Sequence, residues 1–488
     1  MEVTFIVPCS NVVCYGLRTI SAYLKDRGYT VRLIFVTVEH DKFNMALNKG
    51  ILDQLAGLVR SSGLIGLSVM TNYFGYAQQI TRALKRIVDV PIVWGGIHPT
   101  IRPRECLDFA DLVCVGEGEE LLLELANSLQ TGEVNEHIPN LWLKKGDQII
   151  ENDVRPLVYE LDKFPDPDYE LSSHFILDNG KFVLMTERLL KDNLKQLDGK
   201  SRYSTFTTRG CPHACTFCCN STLRRIYKGK GPFIRKRSIA RVIEELKTIK
   251  ENYGFKSICI QDENFLVRPQ AEIENFAQEY AKKIGLPFQC EFSPQMFNEK
   301  KVKLLIGAGL RSVQLGIQSA CEKTNVYTYN RHYSKARLDE IVEFFVRYRD
   351  RVVCKLHFLL YNPWEDEESL ITTVKFAASL PSGFKIIIYP LVFFPETELG
   401  KRAEREGYIN DYYRDVVYKG WSIERVKDAS YLVLIFYLLA TLRAKKFPFI
   451  LWAMKLFIRR SIITLFSLSF IIRPVRLMIY YLYKRFVE

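Results

Sequence analysis

Short apolar runs alternate with helix-like stretches through the first part of the chain, from residue 1 to about residue 130. Strands are predicted at residues 3–8, 30–37, 64–70, 91–94 and 112–115. Helical periodicity lies between them, for example at residues 17–27 and 76–88. This alternation is typical of a doubly wound parallel sheet, in which ligands bind beyond the carboxyl ends of the strands.

A second alternating series begins near Ser204. Its strands are predicted at residues 204–208, 257–261, 288–292, 312–316, 352–358 and 385–391. Six βα units without a closing seventh and eighth predict an open, partial (β/α)6 barrel with its active groups at the carboxyl ends of the strands. Between the two series the pattern weakens, and two prolines in residues 164–171 indicate an irregular connector.

The last part of the chain changes character from residue 429 onward. Three apolar runs occur there, at residues 431–442, 447–458 and 461–472, with basic residues between them. Each run is shorter than the roughly 20 residues that a helix needs to span a bilayer, so interfacial or re-entrant helices are predicted. The alternative is a helical cap buried against the barrel.

The predicted organisation therefore has four parts. Residues 1–135 form a Rossmann-like α/β domain, residues 136–200 a connector, and residues 201–400 the partial barrel. Residues 401–488 form an apolar, basic helical region that is predicted to associate with a membrane.

Charge and composition narrow the class of protein. The composition, with 48% hydrophobic and 25% charged residues, is that of a globular protein. The net charge is +13, and after Asp428 the only acidic residue is Glu488, whereas ten residues are Lys or Arg. A basic apolar tail favours a membrane surface over nucleic acid. The start of the chain lacks a secretory pattern, which predicts a cytoplasmic protein with peripheral contact at the inner face of the membrane.

One loop, residues 208–220, concentrates the candidate chemistry in Cys211, Cys215 and Cys218. Three closely spaced thiolates can hold three irons of a cubane and leave the fourth iron open to a substrate. The loop follows the first strand of the second series, where a barrel of this type carries its active groups. The alternative is a zinc site with Cys219 as fourth ligand, but adjacent cysteines project in different directions and fit one tetrahedral ion poorly.

The motif Cys-x3-Cys-x-Phe-Cys after a barrel strand resembles the radical S-adenosylmethionine superfamily, over residues 203–399. The resemblance implies that Cys211, Cys215 and Cys218 hold a four-iron, four-sulfur (4Fe-4S) cluster. It also implies that the open iron binds S-adenosylmethionine and that one electron, from a donor such as flavodoxin or ferredoxin, cleaves it to a 5'-deoxyadenosyl radical. Phe217 matches the aromatic position near the adenine.

Further S-adenosylmethionine contacts follow from the same resemblance. Asp262 and Glu263, after the second strand, match the polar groups that meet the methionine ammonium, where a carboxylate can accept a charge-assisted hydrogen bond. Three residues match the ribose and carboxylate contacts: Glu291, Ser293 and Gln318. Many relatives carry glutamate where Gln318 stands, so an ionic role does not transfer to this position.

The first domain resembles that of the cobalamin-binding subgroup of the family, over residues 1–130. The matching loop residues are Ser68, Thr71, Gly95, Gly96, His98, Gly116, Glu117 and Gly118. Small residues there let the backbone approach a large flat ligand. The Asp-x-His-x-x-Gly signature that supplies a lower cobalt ligand is absent from the first loop, residues 8–16, so the resemblance implies cobalamin without a histidine ligand.

Eight cysteines remain outside the motif. A second cluster at Cys9 and Cys14 is disfavoured, because the radical methylthiotransferases that carry one have three cysteines in the first domain and none lies in the middle of this one. All eight are interpreted as small, buried apolar residues: Cys9, Cys14, Cys106, Cys114, Cys259, Cys290, Cys321 and Cys354.

Three functional hypotheses follow from these patterns. The leading one is a cobalamin-dependent radical enzyme that transfers a methyl group to an unactivated carbon of a hydrophobic or lipid-like small molecule, with oxidative cyclisation or coupling as the other outcome. The second is a radical enzyme whose first domain has lost cobalamin and binds substrate. The third, which is not an enzyme, is a membrane-associated iron-sulfur electron carrier.

Overall fold

The computed structural model describes residues 1–38, 46–194, 201–409 and 431–444. The described residues form two compact units. The first unit comprises residues 1–204, 217–238 and 393–409, and the second comprises residues 205–216, 239–392 and the helix at 431–444. Residues 217–238 and 393–400, which the sequence analysis assigned to the barrel, therefore belong to the first unit.

The strands of the first sheet are β1 (Glu2–Cys9), β2 (Thr30–Thr37), β3 (Ser62–Ser68), β4 (Ile92–Gly95), β5 (Leu112–Cys114), β6 (Leu141–Lys145), β7 (Gln148–Glu151), β8 (His174–Asp178) and β9 (Lys181–Leu184). The later strands are β10 (Arg202–Thr205), β11 (Thr208–Arg209), β12 (Arg235–Lys236), β13 (Ser257–Ile260), β14 (Phe288–Phe292), β15 (Leu310–Gln318), β16 (Val353–Leu360) and β17 (Phe384–Pro390).

The helices are α1 (Tyr15–Lys25), α2 (Lys49–Leu58), α3 (Phe74–Leu84), α4 (Ile97–Ile101), α5 (Pro103–Cys106), α6 (Glu119–Gln130), α7 (Glu187–Asn193), α8 (Cys219–Ile226), α9 (Ile239–Tyr253), α10 (Gln270–Lys283), α11 (Glu299–Ala308), α12 (Glu322–Tyr327), α13 (Lys335–Arg347), α14 (Glu367–Ser379), α15 (Glu398–Arg405) and α16 (Tyr431–Ala444).

The first unit contains a nine-stranded sheet in the order β7-β6-β5-β4-β3-β1-β2-β8-β9. Its central strands are parallel, and β1 is buried over nearly its whole length, as expected where both faces of a sheet are covered. All five strands predicted for this domain are present. The loops after β1, β3, β4 and β5 therefore lie at one edge of the sheet, where ligands bind in this architecture.

The predicted irregular connector is only partly correct: residues 165–170, which contain the two prolines, form neither helix nor strand, but the described segment 136–194 as a whole is not irregular. This segment supplies two antiparallel hairpins, β6-β7 and β8-β9, that extend both edges of the first sheet. At one edge β6 pairs antiparallel with β5, and at the other β8 pairs parallel with β2. The two hairpins turn at Gly146 and Gly180, which adopt φ angles of 60° and 79° that glycine tolerates without steric cost. Short strands with polar residues gave too weak an alternation for the sequence to reveal them.

A second sheet has six strands in the order β10-β13-β14-β15-β16-β17, and its strands β13 to β17 belong to the second unit. The pairs from β13 to β17 are all parallel, and the six strands confirm the predicted open barrel. Along β16 buried residues alternate with partly buried ones, so Lys355 and His357 share one face and Leu356 and Phe358 share the other.

The first apolar run of the tail forms α16, which packs against β17 and α14. Its residues from Leu432 to Ala440 are almost entirely buried, and the Phe436 ring lies 5.0 Å from that of Phe358. For this run the helical cap is confirmed, and the prediction of an interfacial helix is wrong. The second and third runs, 447–458 and 461–472, lie outside the described residues. Within the described ranges, every helix is too short or too polar to cross a bilayer.

Candidate functional site

The loop with the motif cysteines begins with a sharp turn after β11. Gly210 adopts a φ angle of 89°, a left-handed conformation that favours glycine, and Cys211 follows directly. Cys218 is the N-cap residue of α8. Backbone N–H groups at the N-terminus of a helix attract negative charge, so this position suits a thiolate ligand.

Two of the motif cysteines have nitrogen donors close to their sulfur atoms. The Nη1 of Arg331 lies 3.8 Å from the Cys215 Sγ. Within the first unit, the Nδ2 of Asn220 lies 3.8 Å from the Cys218 Sγ. Nitrogen–hydrogen donors and a positive charge stabilise thiolate sulfur over thiol, so these surroundings fit the ligands of an iron-sulfur cluster.

The alternative that the sequence analysis weighed against an iron-sulfur cluster was a site for a single zinc ion. In the part of the chain that the structure describes, no three His, Cys, Asp or Glu side chains stand close enough together to hold one ion. A 4Fe-4S cluster makes a different demand, because each thiolate binds a different iron. Cys219, the proposed fourth zinc ligand, is the first residue of α8.

A polar network ties the cysteine loop to the ends of two barrel strands. The Nε2 of His213, between the first two cysteines, lies 2.6 Å from the Ser293 Oγ. The Nδ2 of Asn264 lies 3.0 Å from the same oxygen. Ser293, a predicted ribose contact, thus already holds the cysteine loop through these two contacts. A hydrogen bond from Ser293 to S-adenosylmethionine would have to form in addition to them.

Asp262, a predicted ammonium contact, is fully buried. Its carboxylate accepts hydrogen bonds from the Thr207 N and Oγ1, both at 2.5 Å, and from the Thr208 N at 3.1 Å. These bonds fix the chain just before the cysteine loop, and an ammonium contact at Asp262 would require exchanging them. The neighbouring Glu263 is exposed and stays the simpler candidate.

Glu291 lies on the inner face of the barrel, in register with Gln314 and, one strand further, with Lys355. Burial raises the pKa of Glu291 to about 7, with Glu263 acting in the same direction and Lys355 opposing both. A carboxyl of this kind changes between a hydrogen-bond donor and an acceptor near neutral pH. Its position is compatible with the predicted contact to a ligand hydroxyl.

Gln318, the last residue of β15, has a left-handed backbone conformation and a side-chain oxygen that accepts no hydrogen bond from the described residues. Its φ angle is 63°, and its Oε1 is buried without a hydrogen-bond partner among the described residues. The side chain folds over Gly316, where an added Cβ would come within 2.9 Å of the Gln318 Nε2. A buried acceptor without a partner is costly unless a ligand satisfies it, so Gln318 fits the predicted contact.

His357 lies beside this region, in register with Gly316. Burial lowers the pKa of His357 to about 4, with the Lys355 charge acting in the same direction, so the imidazole is neutral at physiological pH. Its ring makes an edge contact with Tyr389, with 5.4 Å between centroids. Tyr389 is 41% exposed. These two rings on adjacent strands give the barrel a polar, aromatic wall that the sequence analysis did not identify.

In the first unit, the loop after β3 and the loop after β4 are in close contact. An added Cβ at Gly96, which has a φ angle of 100°, would meet the Val69 backbone at 3.0 Å. His98 is fully buried, with Nδ1 3.2 Å from the Thr71 Oγ1 and Nε2 3.7 Å from a Glu105 oxygen. Burial and the Arg102 charge lower the pKa of His98 to about 3. His98 thus positions these loops as a neutral residue, with no exposed surface for a cofactor.

The loop after β5 is covered by residues that follow the cysteine motif. The Tyr227 hydroxyl accepts a hydrogen bond from the Glu117 N at 2.7 Å and fills the space that a Cβ on Gly116 would need. The buried Arg235 forms a two-bond ion pair with the Glu117 carboxylate, at 2.6 and 2.9 Å. Glu117 and Gly116, predicted to contact cobalamin, therefore anchor residues 217–238.

The helix after Cys218 also packs against the loop after β4, because α8 contacts α4. The Thr222 Oγ1 and the Arg225 Nη2 both donate to the Glu396 carbonyl, at 2.9 and 2.7 Å. The Arg102 Nε lies 3.4 Å from the Glu396 carboxylate. The segment that begins next to Cys218 and the loops predicted to bind cobalamin are thus parts of one packed unit.

Two family models match the chain. A model described as the Radical SAM superfamily matches residues 205–377, and one described as the B12 binding domain matches residues 8–126. Together they cover more than half of the chain. The chain belongs to the cobalamin-binding radical S-adenosylmethionine family. The resemblance seen in the sequence, and the order of its two domains, are confirmed.

Individual relatives agree with this family. An uncharacterized methyltransferase of Pyrococcus horikoshii is 28% identical over 65% of this chain and 64% of its own length. An anaerobic magnesium-protoporphyrin IX monomethyl ester cyclase of Cereibacter sphaeroides is 23% identical over 64% of this chain and 49% of its own length. This chain thus spans about half to two thirds of the length of these curated relatives.

A solved structure shares the fold. The radical S-adenosylmethionine methyltransferase TsrM of Kitasatospora setae, with cobalamin and a 4Fe-4S cluster bound, matches with a TM-score of 0.64 at 19% identity. The match covers 83% of this chain and 75% of TsrM.

Among the predicted site residues of this family member, the second unit brings Glu263 and Glu291 into electrostatic contact, and Gln318 lies on the neighbouring strand β15. The first unit brings together Thr71, His98 and the Gly96 turn. The sequence analysis missed several residues that hold these groups: His213, Arg331, Asn264, Tyr227, Arg235, Lys355 and His357. His213 lies within the cysteine motif and Asn264 directly after Glu263, so the polar residues of these motifs offered a signal for both, whereas the other five lie outside the motifs and no local signal identifies them.

Proposed function

We propose that this chain is a cobalamin-dependent radical S-adenosylmethionine enzyme that transfers a methyl group to an unactivated carbon of a hydrophobic small molecule. The observation that carries the proposal is the surroundings of the motif cysteines, with Arg331 at 3.8 Å from the Cys215 Sγ, in a chain that also has a B12 binding domain. When bound, the cluster, S-adenosylmethionine and cobalamin supply the radical and methyl-carrier chemistry.

The residues of the chain have positioning roles in this proposal. Cys211, Cys215 and Cys218 hold the cluster, and the His213 contact with Ser293 keeps their loop at the end of β14. The buried Gln318 oxygen and the Glu291 carboxyl offer hydrogen-bonding groups to S-adenosylmethionine. Phe217 is partly exposed, and in this proposal its ring packs against adenine.

The substrate would meet the remaining inner face of the barrel. His357 and Tyr389 present a neutral imidazole and a phenol there, with the Lys355 ammonium beside them. Such groups hydrogen-bond polar substituents of a mostly apolar molecule. The apolar runs at residues 447–458 and 461–472, with basic residues between them, support peripheral contact with anionic lipid and thus access to a hydrophobic substrate.

The first experiment tests the cluster. Anaerobically reconstituted protein is expected to contain about four irons per chain and, after reduction, to form 5'-deoxyadenosine from S-adenosylmethionine. Cys215→Ala should abolish both, whereas Cys219→Ala is the matched control and should retain both. If the variant lacking Cys211, Cys215 and Cys218 still forms deoxyadenosine, the proposal is wrong.

The second experiment tests cobalamin. The protein is expected to bind hydroxocobalamin, and the reduced cobalt(II) form should show no nitrogen hyperfine splitting from a protein histidine in electron paramagnetic resonance. The reason is that His98, the only histidine in the predicted loops, is fully buried between Thr71 and Glu105. Protein that forms deoxyadenosine but binds no corrinoid would instead support a radical enzyme without cobalamin.

Oxidative cyclisation is the second candidate outcome, because a relative is an anaerobic cyclase. Methyl transfer and cyclisation can be distinguished with S-adenosylmethionine that carries a deuterated methyl group, added to extracts of cells that contain the protein. Methyl transfer places the label in a product together with formation of S-adenosylhomocysteine, whereas cyclisation leaves the product unlabelled. A reversible redox couple without any deoxyadenosine would favour the electron carrier.

A further inference from the structure

Two cysteines outside the motif lie together at the carboxyl end of β1. Cys9 is the last residue of the strand, and Cys14 is the residue directly before α1. A hydrogen bond between the two thiols contributes to the pKa of each, and the Cys14 Sγ lies 3.7 Å from the carbonyl oxygen of Asn11 in the loop between them. The sequence analysis interpreted both as buried apolar residues, which is correct for Cys9 and wrong for Cys14, because Cys14 is partly exposed.

The surroundings of Cys14 stabilise a thiolate. Cys14 stands at the N-terminus of α1, where the helix dipole favours negative charge. The hydrogen bond with Cys9 lowers the pKa of Cys14, and the Arg18 charge acts in the same direction against the effect of burial. The pKa of Cys9 is raised by the same hydrogen bond and by its burial.

Arg18 is fixed in place rather than mobile. Its side chain is fully buried and donates to the carbonyls of Val12 at 2.9 Å and Asp168 at 2.7 Å. Its guanidinium lies 4.1 Å from the centre of the Tyr169 ring. A fixed positive charge keeps its effect on a nearby thiolate, unlike a lysine at the end of a flexible chain.

We propose that Cys9 and Cys14 are a redox-active dithiol, a modification site at which Cys14 is the attacking thiolate and Cys9 the resolving thiol. A reactive cysteine that is partly exposed and next to a second thiol is the arrangement that redox-sensing cysteines share. The four residues between them form a short loop, so a disulfide closes without distant chain movement.

The oxidant is a small disulfide such as glutathione disulfide. The Cys14 thiolate attacks one of its sulfur atoms, which forms a mixed disulfide and releases one glutathione thiolate. Cys9 then loses its proton to solvent and attacks the Cys14 sulfur, which releases the second glutathione. The two protein thiols lose two electrons and two protons in total, and the small disulfide is reduced to two thiols.

Oxidation would act on the predicted cobalamin loops. Ser10, between the two cysteines, is in hydrogen-bonding contact with the Tyr73 side chain, and Tyr73 belongs to the turn Thr71–Tyr73 after β3. Thr71 in turn contacts His98 in the loop after β4. A Cys9–Cys14 disulfide reshapes the first of these joined loops, so the oxidised protein binds cobalamin more weakly. This coupling rests on the proposed function, whereas the dithiol does not.

Peptide mapping tests the dithiol directly. Both cysteines lie in one tryptic peptide, residues 1–18, whereas the partly exposed Cys321 is the only cysteine of residues 312–323 and serves as the matched control. After anaerobic reconstitution, glutathione disulfide and then iodoacetamide, peptide 1–18 is expected to lack two hydrogen atoms and to resist alkylation until reduced. Cys9→Ser should stop at the glutathione adduct on Cys14.

Two results would overturn the dithiol: alkylation of both cysteines in peptide 1–18 after oxidation, or glutathione on Cys321 as readily as on Cys14.

Equilibrium dialysis with hydroxocobalamin tests the coupling between the dithiol and cobalamin binding. Oxidation is expected to weaken binding at least five-fold in the native protein and not in Cys14→Ser. Equal affinities would overturn the coupling. Reduced protein that binds no cobalamin would overturn both the coupling and the cobalamin-dependent proposal, while the peptide result would still decide the dithiol.

Discussion

The Nη1 of Arg331 lies 3.8 Å from the Cys215 Sγ, so a buried guanidinium from the loop after α12 reaches the second cysteine of the motif. The same side chain donates from Nη2 to the Gly316 carbonyl at 2.8 Å. Gly316 lies under the Gln318 side chain, which offers the unused acceptor. One arginine thus connects a predicted cluster ligand to the strand predicted to contact S-adenosylmethionine.

Replacing Arg331 should change the redox potential of the cluster. Hydrogen bonds and positive charge near a cluster sulfur stabilise the more negative, reduced state. We therefore expect Arg331→Met to shift the reduction potential to more negative values and to slow deoxyadenosine formation at a fixed potential of the reductant. Redox titration followed by electron paramagnetic resonance measures the shift. Arg331→Lys keeps a charge and should shift it less, and an unchanged potential in Arg331→Met would contradict the assignment.

Glu291 should make the stability of the protein depend on pH. Its pKa of about 7 in the folded state exceeds the unfolded value of about 4.3, so the folded state binds the proton more tightly. The resulting stability is complete below about pH 4 and is lost as the pH rises through about 7. The loss is on the order of 2 kcal/mol, because the shift is large but the side chain is partly exposed.

Urea unfolding of protein without cofactors, between about pH 5 and about pH 8, measures this loss. Glu291→Gln cannot titrate and should flatten the curve. The exposed Glu343 on α13 is the control, and Glu343→Gln should keep the native pH profile. If the free energy of unfolding of Glu291→Gln falls with pH as steeply as that of the native protein, a group other than Glu291 causes the pH dependence.

Much of the fold follows from the sequence because long periodic segments determine it. The predicted strands of both sheets are present, and the predicted strand at residues 288–292 coincides with β14. The hairpins at residues 141–151 and 174–184 were missed, since each of their strands has only 4 or 5 residues and their pairing depends on the rest of the sheet.

The site could be predicted only where a local motif carries it. Cys211, Cys215 and Cys218 stand close together in sequence, whereas the donor to Cys215 is Arg331, more than a hundred residues away. The role of His98 also depends on burial, which a single sequence does not reveal for a polar residue. The sequence thus indicates the ligands, and the fold supplies the groups that orient them.

The ion pair between Arg235 and Glu117 should stabilise the first unit. Arg235 is buried, and its two nitrogen atoms lie 2.6 and 2.9 Å from the carboxylate oxygens. Removing one partner leaves the charge of the other unpaired and poorly hydrated. The expected loss in the free energy of unfolding is about 3 kcal/mol, or somewhat less because Glu117 is partly exposed. We expect Glu117→Gln, which leaves the buried Arg235 charge unpaired, to lower the free energy of unfolding by about 2 kcal/mol, and Arg235→Met, which leaves the partly exposed Glu117, to lower it by less.

A double-mutant cycle isolates the pair. Glu117→Gln with Arg235→Met should cost less than the sum of the two single changes, measured by urea unfolding. The exposed pair of Lys335 and Asp339 on α13 is the control, because an exposed pair contributes about 0.5 kcal/mol or less. Additive costs at Arg235 and Glu117 would show that the two side chains act independently.

The tail should divide into a structural part and a membrane-binding part at residue 444. The helix α16 is buried against β17 and α14, so a chain that ends at Asp428 loses this cover and should unfold at lower urea concentration. A chain that ends at Ala444 keeps α16 and should remain as stable as the full chain. It lacks the apolar runs at 447–458 and 461–472 and nearly all basic residues of the tail.

Co-sedimentation with vesicles of phosphatidylglycerol and phosphatidylcholine tests the second part. The full chain should sediment with these vesicles at low salt and less at high salt, because each Lys or Arg near an anionic surface contributes about 1 kcal/mol that salt screens. The chain ending at Ala444 should stay in solution. The full chain with Arg459→Gln and Arg460→Gln keeps the apolar runs and should bind more weakly, but only at low salt. If the full chain does not sediment with the vesicles, while the chain ending at Ala444 is less stable than the full chain, residues 445–488 pack on the protein, and the proposal of a lipid-like substrate loses its support.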